Sequence, residues 1–244
     1  PYIAVPGQPI AMFYGYLFDG IYQYEDFDKV GEKYVLKTSV PNNGKDRDTI
    51  QPGDIRYMDI NGDGVVNVYD QTIIGNPNPK HIGGFNNYFQ YKNLDFSIYF
   101  QWSYGGDILN ANRIVFEAGE PTARQSLNMF ASFADRWTPE NPSNTLYRAG
   151  GQGPAAYSDR VLEDGSFLRL KTFSIGYRFP VNWLQKIKVK SLRVYFSGQN
   201  LFTWTRYTGF DPEVSTRPTA LTPAFDWSAY PRAMTLTGGL ELTF

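Results

Sequence analysis

Between Leu94 and Tyr104 the chain reads LDFSIYFQWSY, with Leu94, Phe96, Ile98, Phe100, Trp102 and Tyr104 at every second position. Asp95, Ser97, Gln101 and Ser103 fall between them, and Tyr99 joins this polar set. A repeat of two is the period of a β-strand whose faces meet different surroundings. Phe173 to Phe179 repeats the pattern, as does Leu192 to Trp204, where Leu192, Val194, Phe196, Phe202 and Trp204 oppose Arg193, Ser197, Gln199 and Thr203. At the end of the chain Met234, Leu236, Leu240, Leu242 and Phe244 stand against Thr235, Thr237, Glu241 and Thr243. A further strand is expected from His81 to Tyr91, joined to Leu94 by the pair Lys92-Asn93, where Asn suits the left-handed backbone of a tight hairpin.

A soluble sandwich also alternates, so strand length and loop rhythm have to separate the two solvents. These segments run to about 10 residues, against roughly 5 to 6 in soluble sheets, and several end in aromatic rings, as the girdles of membrane barrels do. Short connections at Lys92-Asn93 and Pro180 to Lys190 alternate with long ones at Gly105 to Gly165 and Arg206 to Arg232. That rhythm predicts short periplasmic turns and long outer loops, with the final strand running inward. One short helix is expected near Arg124 to Trp137. Ala11 to Tyr22 reads as a sixth strand and Gln23 to Lys80 as an outer loop. About six strands cannot close a barrel, because the smallest common ones use about eight. The expected fold is therefore an all-β, antiparallel, up-and-down transmembrane barrel segment, residues 1–244 being the C-terminal strands of a larger barrel.

Composition narrows the chemistry. Tyr, Phe and Trp number 18, 18 and 5, while mean hydropathy is only −0.40, so apolar residues are dispersed rather than gathered in runs. Lys plus Arg (23) nearly balance Asp plus Glu (24), which argues against nucleic acid as a partner. With no Cys and a single His, His81, thiolate metal sites and His-based triads lack their residues. We find no nucleophile–base pair, phosphate loop or paired carboxylates, so an enzyme is not expected. The chain opens at Pro1 without Met or signal peptide and reads as a piece of something longer, or a processed product.

One loop carries metal-like spacing. Asp59, Asn61, Asp63 and Asp70 occupy positions 1, 3, 5 and 12 of a D-x-N-x-D-G loop, with Gly64 at the sixth, where a sharp turn is needed. The Val65 carbonyl supplies the seventh-position oxygen and Asn67 stands where a water-mediated contact is usual. This predicts a structural Ca²⁺ site across residues 59–70 in an outer loop, weakened by Asp70 standing where Glu is usual. The alternative is two metal-free turns at Asn61-Gly62 and Asp63-Gly64.

Several stretches carry a family likeness. GQPIAMFYGYLFDGIYQ, the long run PGDIRYMDINGDGVVNVYDQTIIGNPNPKHIGGFNNYFQYKNLDFSIYFQWSYGGDILN, NLFTWTRYTGFDPEVS and the ending AYPRAMTLTGGLELTF succeed one another along most of the chain. Together they resemble the late-barrel sequence of SusC-like TonB-dependent transporters, least so from Arg113 to Gln152. The resemblance implies a 22-stranded barrel with an N-terminal plug, in the outer membrane of a Gram-negative, Bacteroidetes-like cell. It implies a SusD-like surface lipoprotein as lid, energy through TonB acting on the plug, and oligosaccharide or peptide cargo. Plug and TonB-contacting segment have no counterpart in this sequence. The ending Leu240 to Phe244 is similar to the insertion signal of outer-membrane barrels.

Trp137, Tyr147, Tyr207, Phe225 and Trp227 fall in the expected outer loops, where aromatic faces stack on sugars or pack on peptides, or simply pack the loops themselves. Asp95, Gln101, Arg193 and Gln199 are expected to face the lumen. No individual substrate ligand is assigned. Two other readings stay open at this point: a TonB-dependent siderophore receptor, and a secreted Ca²⁺-stabilised carbohydrate-binding β-sandwich.

Overall fold

The computed structural model of the 244-residue chain describes all residues except 120–126, 154–156, 186–187 and 218. It divides into two units whose segments interleave along the sequence: Pro1–Pro77 with Asp107–Glu163 and Val214–Ser228, and Asn78–Gly106 with Asp164–Glu213 and Ala229–Phe244.

The second unit is a wall of five antiparallel strands: β1 (His81–Tyr91), β2 (Leu94–Tyr104), β3 (Phe167–Arg178), β4 (Ser191–Thr205) and β5 (Thr235–Thr243). Each pairs with its neighbours in chain order, so the topology is a plain meander. The register carries apolar rows straight across it. Phe89, Phe96, Ile175 and Phe196 stand opposite one another in turn, as do Phe85, Phe100, Leu170 and Phe202. Phe85, Phe89, Phe196, Phe202, Leu236, Leu240 and Leu242 are exposed. Among the described residues this unit has no second sheet of its own to cover that face, which does not fit a sandwich. An eleven-residue strand runs roughly 36 Å and, tilted about 40°, spans roughly 28 Å, enough for the apolar band of an outer-membrane barrel. The opposite face is polar: Ser97, Ser174, Ser197 and Thr237 form one row and Gln101, Arg169 and Thr203 another. On this wall large side chains lie flat over glycines, Trp102 on Gly83, Tyr99 on Gly84 and Tyr195 on Gly239.

The first unit is built differently. Its strands are two to four residues long, in small sheets such as Tyr2–Ile3 with Met12–Gly15 and Thr72–Gly75, or Phe18–Ile21 with Ile55–Tyr57. Asp107–Asn110 pairs in parallel with Phe225–Asp226. Three apolar clusters hold it: Ile21, Ile55, Tyr57, Val66, Trp137, Leu146 and Tyr147; Phe13, Leu109, Ala111, Ile114, Val161 and Phe225; and Tyr22, Phe27, Leu36 and Ile50.

Three sequence expectations are corrected. Ala11 to Tyr22 is not a membrane strand but two short strands, Met12–Gly15 and Phe18–Ile21, with Phe13, Ile21 and Tyr22 buried. Gly15 lets the chain press against the Tyr157 carbonyl and Gly20 adopts φ 110°, so the segment bends and both its faces enter a loop core. In the Lys92-Asn93 turn the left-handed residue is Lys92, at φ 53°. Of the helix expected at Arg124 to Trp137, residues 124–126 lie outside the described residues. Beyond them Ala131–Asp135 forms a 3₁₀ turn, because Trp137 is drawn into the core with its N–H on the Leu146 carbonyl. A short α-helix lies instead at Asn112–Phe116.

Candidate functional site

Alternation places Asp95, Gln101, Arg193 and Gln199 on the polar face of the wall, as expected. Arg193 on β4 reaches over β3 to Asp95 on β2, with Nη2 to Oδ2 at 2.7 Å and Nε to Oδ1 at 3.0 Å, a two-point clamp. Its Nη1 donates to Glu241 on β5 at 3.1 Å. The path is open because Gly176 lies beneath the guanidinium; any Cβ there would collide with Arg193 and Asp95.

Higher on the same face is a second ionic group that the residue pattern alone did not single out. In the segment GFDPEVS, Asp211 Oδ1 accepts the Glu213 N–H at 2.8 Å, a turn that brings both carboxylates together. They close on Arg169 of β3, with Nη2 to Asp211 at 2.5 Å and Nη1 to Glu213 at 2.7 Å. Arg169 is 2% exposed. Lys171 (3.4 Å) and Arg232 (3.1 Å) reach the same Glu213 oxygen, and Gln101 donates to the other at 3.3 Å. Lys171 gets there because the register slips between Leu170 and Thr172, a bulge that adds an inward side chain. The visible signal was the lapse of alternation at Leu170-Lys171. The group ties a long loop to the polar face, and the Nη1–Glu213 contact is an ion pair off hydrogen-bond alignment.

The calcium-like loop is a nest of turns. Asp59 accepts the N–H groups of Gly62 at 2.8 Å and Gly64 at 2.7 Å; Asn61 accepts that of Asp63 and Asp63 that of Val65. The Val65 carbonyl accepts Asn67 Nδ2 at 3.0 Å. Asp70 is fully buried and takes three backbone N–H groups, from Ile60, Asn61 and Asn67. The structure thus brings Asp59, Asn61, Asp63, Val65 and Asp70 into one loop. Among the described residues no three His, Cys, Asp or Glu side chains gather as a metal-holding group.

Comparison with known proteins bears on this architecture. The chain is 34% identical over 243 residues to TonB-dependent receptor P3 of Formosa agariphila, across 98% of this chain and 22% of that receptor. It is 38% identical over 206 residues to TonB-dependent receptor P26 of the same organism, across 81% of this chain and 20% of that one. To TonB-dependent receptor SusC of Bacteroides thetaiotaomicron it is 32% identical over 214 residues, across 86% and 19%. The chain belongs with the SusC-like TonB-dependent receptors.

This SusC-like chain spans about a fifth of the length of those relatives. Its fold is that of a C-terminal part of the transporter barrel. The solved RagAB peptide importer in its closed-closed state superposes with a TM-score of 0.69 at 23% identity, over 99% of this chain and 25% of that one. The RagAB peptide transporter gives 0.68 at 24%, over 98% and 24%. No family model matches the chain. No helix among the described residues is long and apolar enough to cross a membrane, and the barrels of this family cross with strands.

Among the SusC-like chain's loop aromatics, Trp137, Tyr147, Tyr207 and Phe225 are buried, while Trp227 is 46% exposed. The first four therefore pack the protein itself. Trp137 Nε1 donates to Gln23 at 2.9 Å, and the Arg160 guanidinium lies 5.0 Å from the Tyr147 ring centroid. Burial raises the Tyr57 and Tyr147 phenols above their ordinary range, so both stay protonated at neutral pH.

Proposed function

We propose that this chain forms part of the wall of an outer-membrane active importer of large nutrients, oligosaccharides or peptides. In this reading a SusD-like surface lipoprotein covers the barrel and TonB supplies energy through a plug encoded elsewhere in the receptor. The observation that carries it is the two-faced wall: apolar rows run outward across five strands, and ion-paired residues stand on the other face. Lipid against the first face and a hydrated lumen against the second meet both requirements at once. The solved RagAB importer is named for peptides, one of the two cargo classes of this reading. The chain takes no catalytic part. Long loops, with residues 59–70 among them, lie outside the cell.

The test is recovery of the complete receptor from outer membranes in detergent, with mass identification of what stays bound. A co-purifying surface lipoprotein with peptide or glycan supports the reading; a detergent-independent soluble receptor rules it out.

For the loop at residues 59–70 we propose a structural Ca²⁺ held by Asp59, Asn61, Asp63 and the Val65 carbonyl. The support is their spacing, together with the second lone pair that each oxygen keeps after accepting its N–H. Asp70 Oδ1 is taken up by two N–H groups, so Asp70 would join through Oδ2, which accepts only that of Asn67. The metal would replace carboxylate repulsion with coordination; calcium binding absent from the intact receptor in equilibrium dialysis would remove the proposal.

A further inference from the structure

On the apolar face of the wall, the end bearing the long connections is indented. A notch of about 690 Å³ opens there, floored by Trp102, Leu168 and Trp204 and rimmed by His81, Ser166 and Arg206. Trp102 stands opposite Leu168 and Leu168 opposite Trp204, so the floor belongs to the apolar rows and not to the lumen. Trp102 Nε1 donates to His81 Nδ1 at 3.2 Å, which puts the His81 ring proton on Nε2, where it can be offered to an outside acceptor. Tyr104 stacks on the same ring, with centroids 5.1 Å apart. Arg206 is exposed and has no ion-pair or hydrogen-bond partner among the described residues. Asp164 is the one carboxylate lining the notch, and its Oδ1 is engaged by the Ser166 N–H at 2.9 Å.

An aromatic floor beneath an unpaired guanidinium is complementary to a molecule that is apolar at one end and anionic at the other. We propose that the notch holds the phosphorylated headgroup of an outer-leaflet lipid. Its acyl chain lies on Trp102, Leu168 and Trp204, and its phosphate meets Arg206 and the His81 N–H. Free phosphate would use the rim alone and leave the floor unfilled. The proposal rests on the outer-membrane reading, because it needs lipid against this face and the long connections outward.

The test uses the complete receptor, extracted from outer membranes in mild detergent, with native mass spectrometry of retained lipid. Arg206→Gln should lower the retained phospholipid or glycolipid phosphate species roughly tenfold, the worth of one charge-assisted hydrogen bond. Trp204→Ala should lower retention as well, while Lys188→Gln, in the short connection at the opposite end, should leave it unchanged. Excess inorganic phosphate should not displace the lipid. Equal retention by wild type and Arg206→Gln, or displacement by phosphate alone, would overturn the notch and leave the importer reading standing. A receptor missing from the outer membrane altogether would overturn both.

Discussion

The wall and the loop body solve the same problem with opposite means. In the wall, each residue's environment follows from its parity: Ile98 faces outward and Ser97 inward, and the neighbouring strand repeats the choice in Phe173 and Ser174. In the loop body, burial depends on partners far away in sequence, as when Trp137 packs with Ile21 and Ile55 and bonds Gln23. One region is ordered by an external boundary between lipid and water, the other by clusters it must assemble for itself. The first kind of order is local and periodic; the second is neither.

Trp137→Ala separates the two most sharply. It should cost about 4 kcal/mol, as removal of a large buried ring from a packed cluster does. Limited proteolysis should then cut the loops between residues 17 and 66 while the heat-modifiability of the full barrel on gels is unchanged; loss of the barrel band would mean that the two regions fold as one. Ile98→Arg makes the reverse cut. A charge near mid-membrane on the lipid side costs about 3 kcal/mol, so insertion into outer membranes should fail. The same change at exposed Val68 of the loop body should be silent in that assay.

Arg169→Met tests the ionic tie between loop and wall. Lys171 and Arg232 still face the carboxylates, so the expected loss is roughly 2 kcal/mol, below the usual cost of orphaning a buried pair. Accelerated cleavage between Arg206 and Glu213 with normal membrane insertion is the expected result, and wild-type protease resistance would show that the pair holds nothing. The smallest effect is chelation. A loop site of extracellular affinity adds only about 1 kcal/mol at millimolar Ca²⁺, so EGTA should raise proteolysis at residues 59–70 without touching the wall.

Strand ends such as Leu94 and Tyr104, and both short connections, were legible because alternation stops where the lipid does. The strand expected from Phe173 begins at Phe167, further out than the pattern suggested, since a bulge at Lys171 breaks the alternation and turns that side chain toward Glu213. Ala11 to Tyr22 misled for a related reason. Its aromatics recur at close spacing, but Gly15 and Gly20 fold the segment so that both faces meet protein, a fact about the approach of Tyr157 and Asn144 that no window of neighbouring residues contains. The carboxylates of the 59–70 loop were found by spacing, whereas the engagement of Asp70 by three N–H groups belongs to the folded turn alone.

The glycines beneath large side chains carry a consequence for how such receptors diverge. Gly83 under Trp102, Gly176 under Arg193 and Gly239 under Tyr195 are paired commitments. Enlarging the glycine evicts its cover, and shrinking the cover exposes bare backbone. Neither position can drift alone, so lineages that lose one member of a pair should be found to have replaced the other in the same step, and a barrel's ancestry should be readable from which lids and floors it has kept together.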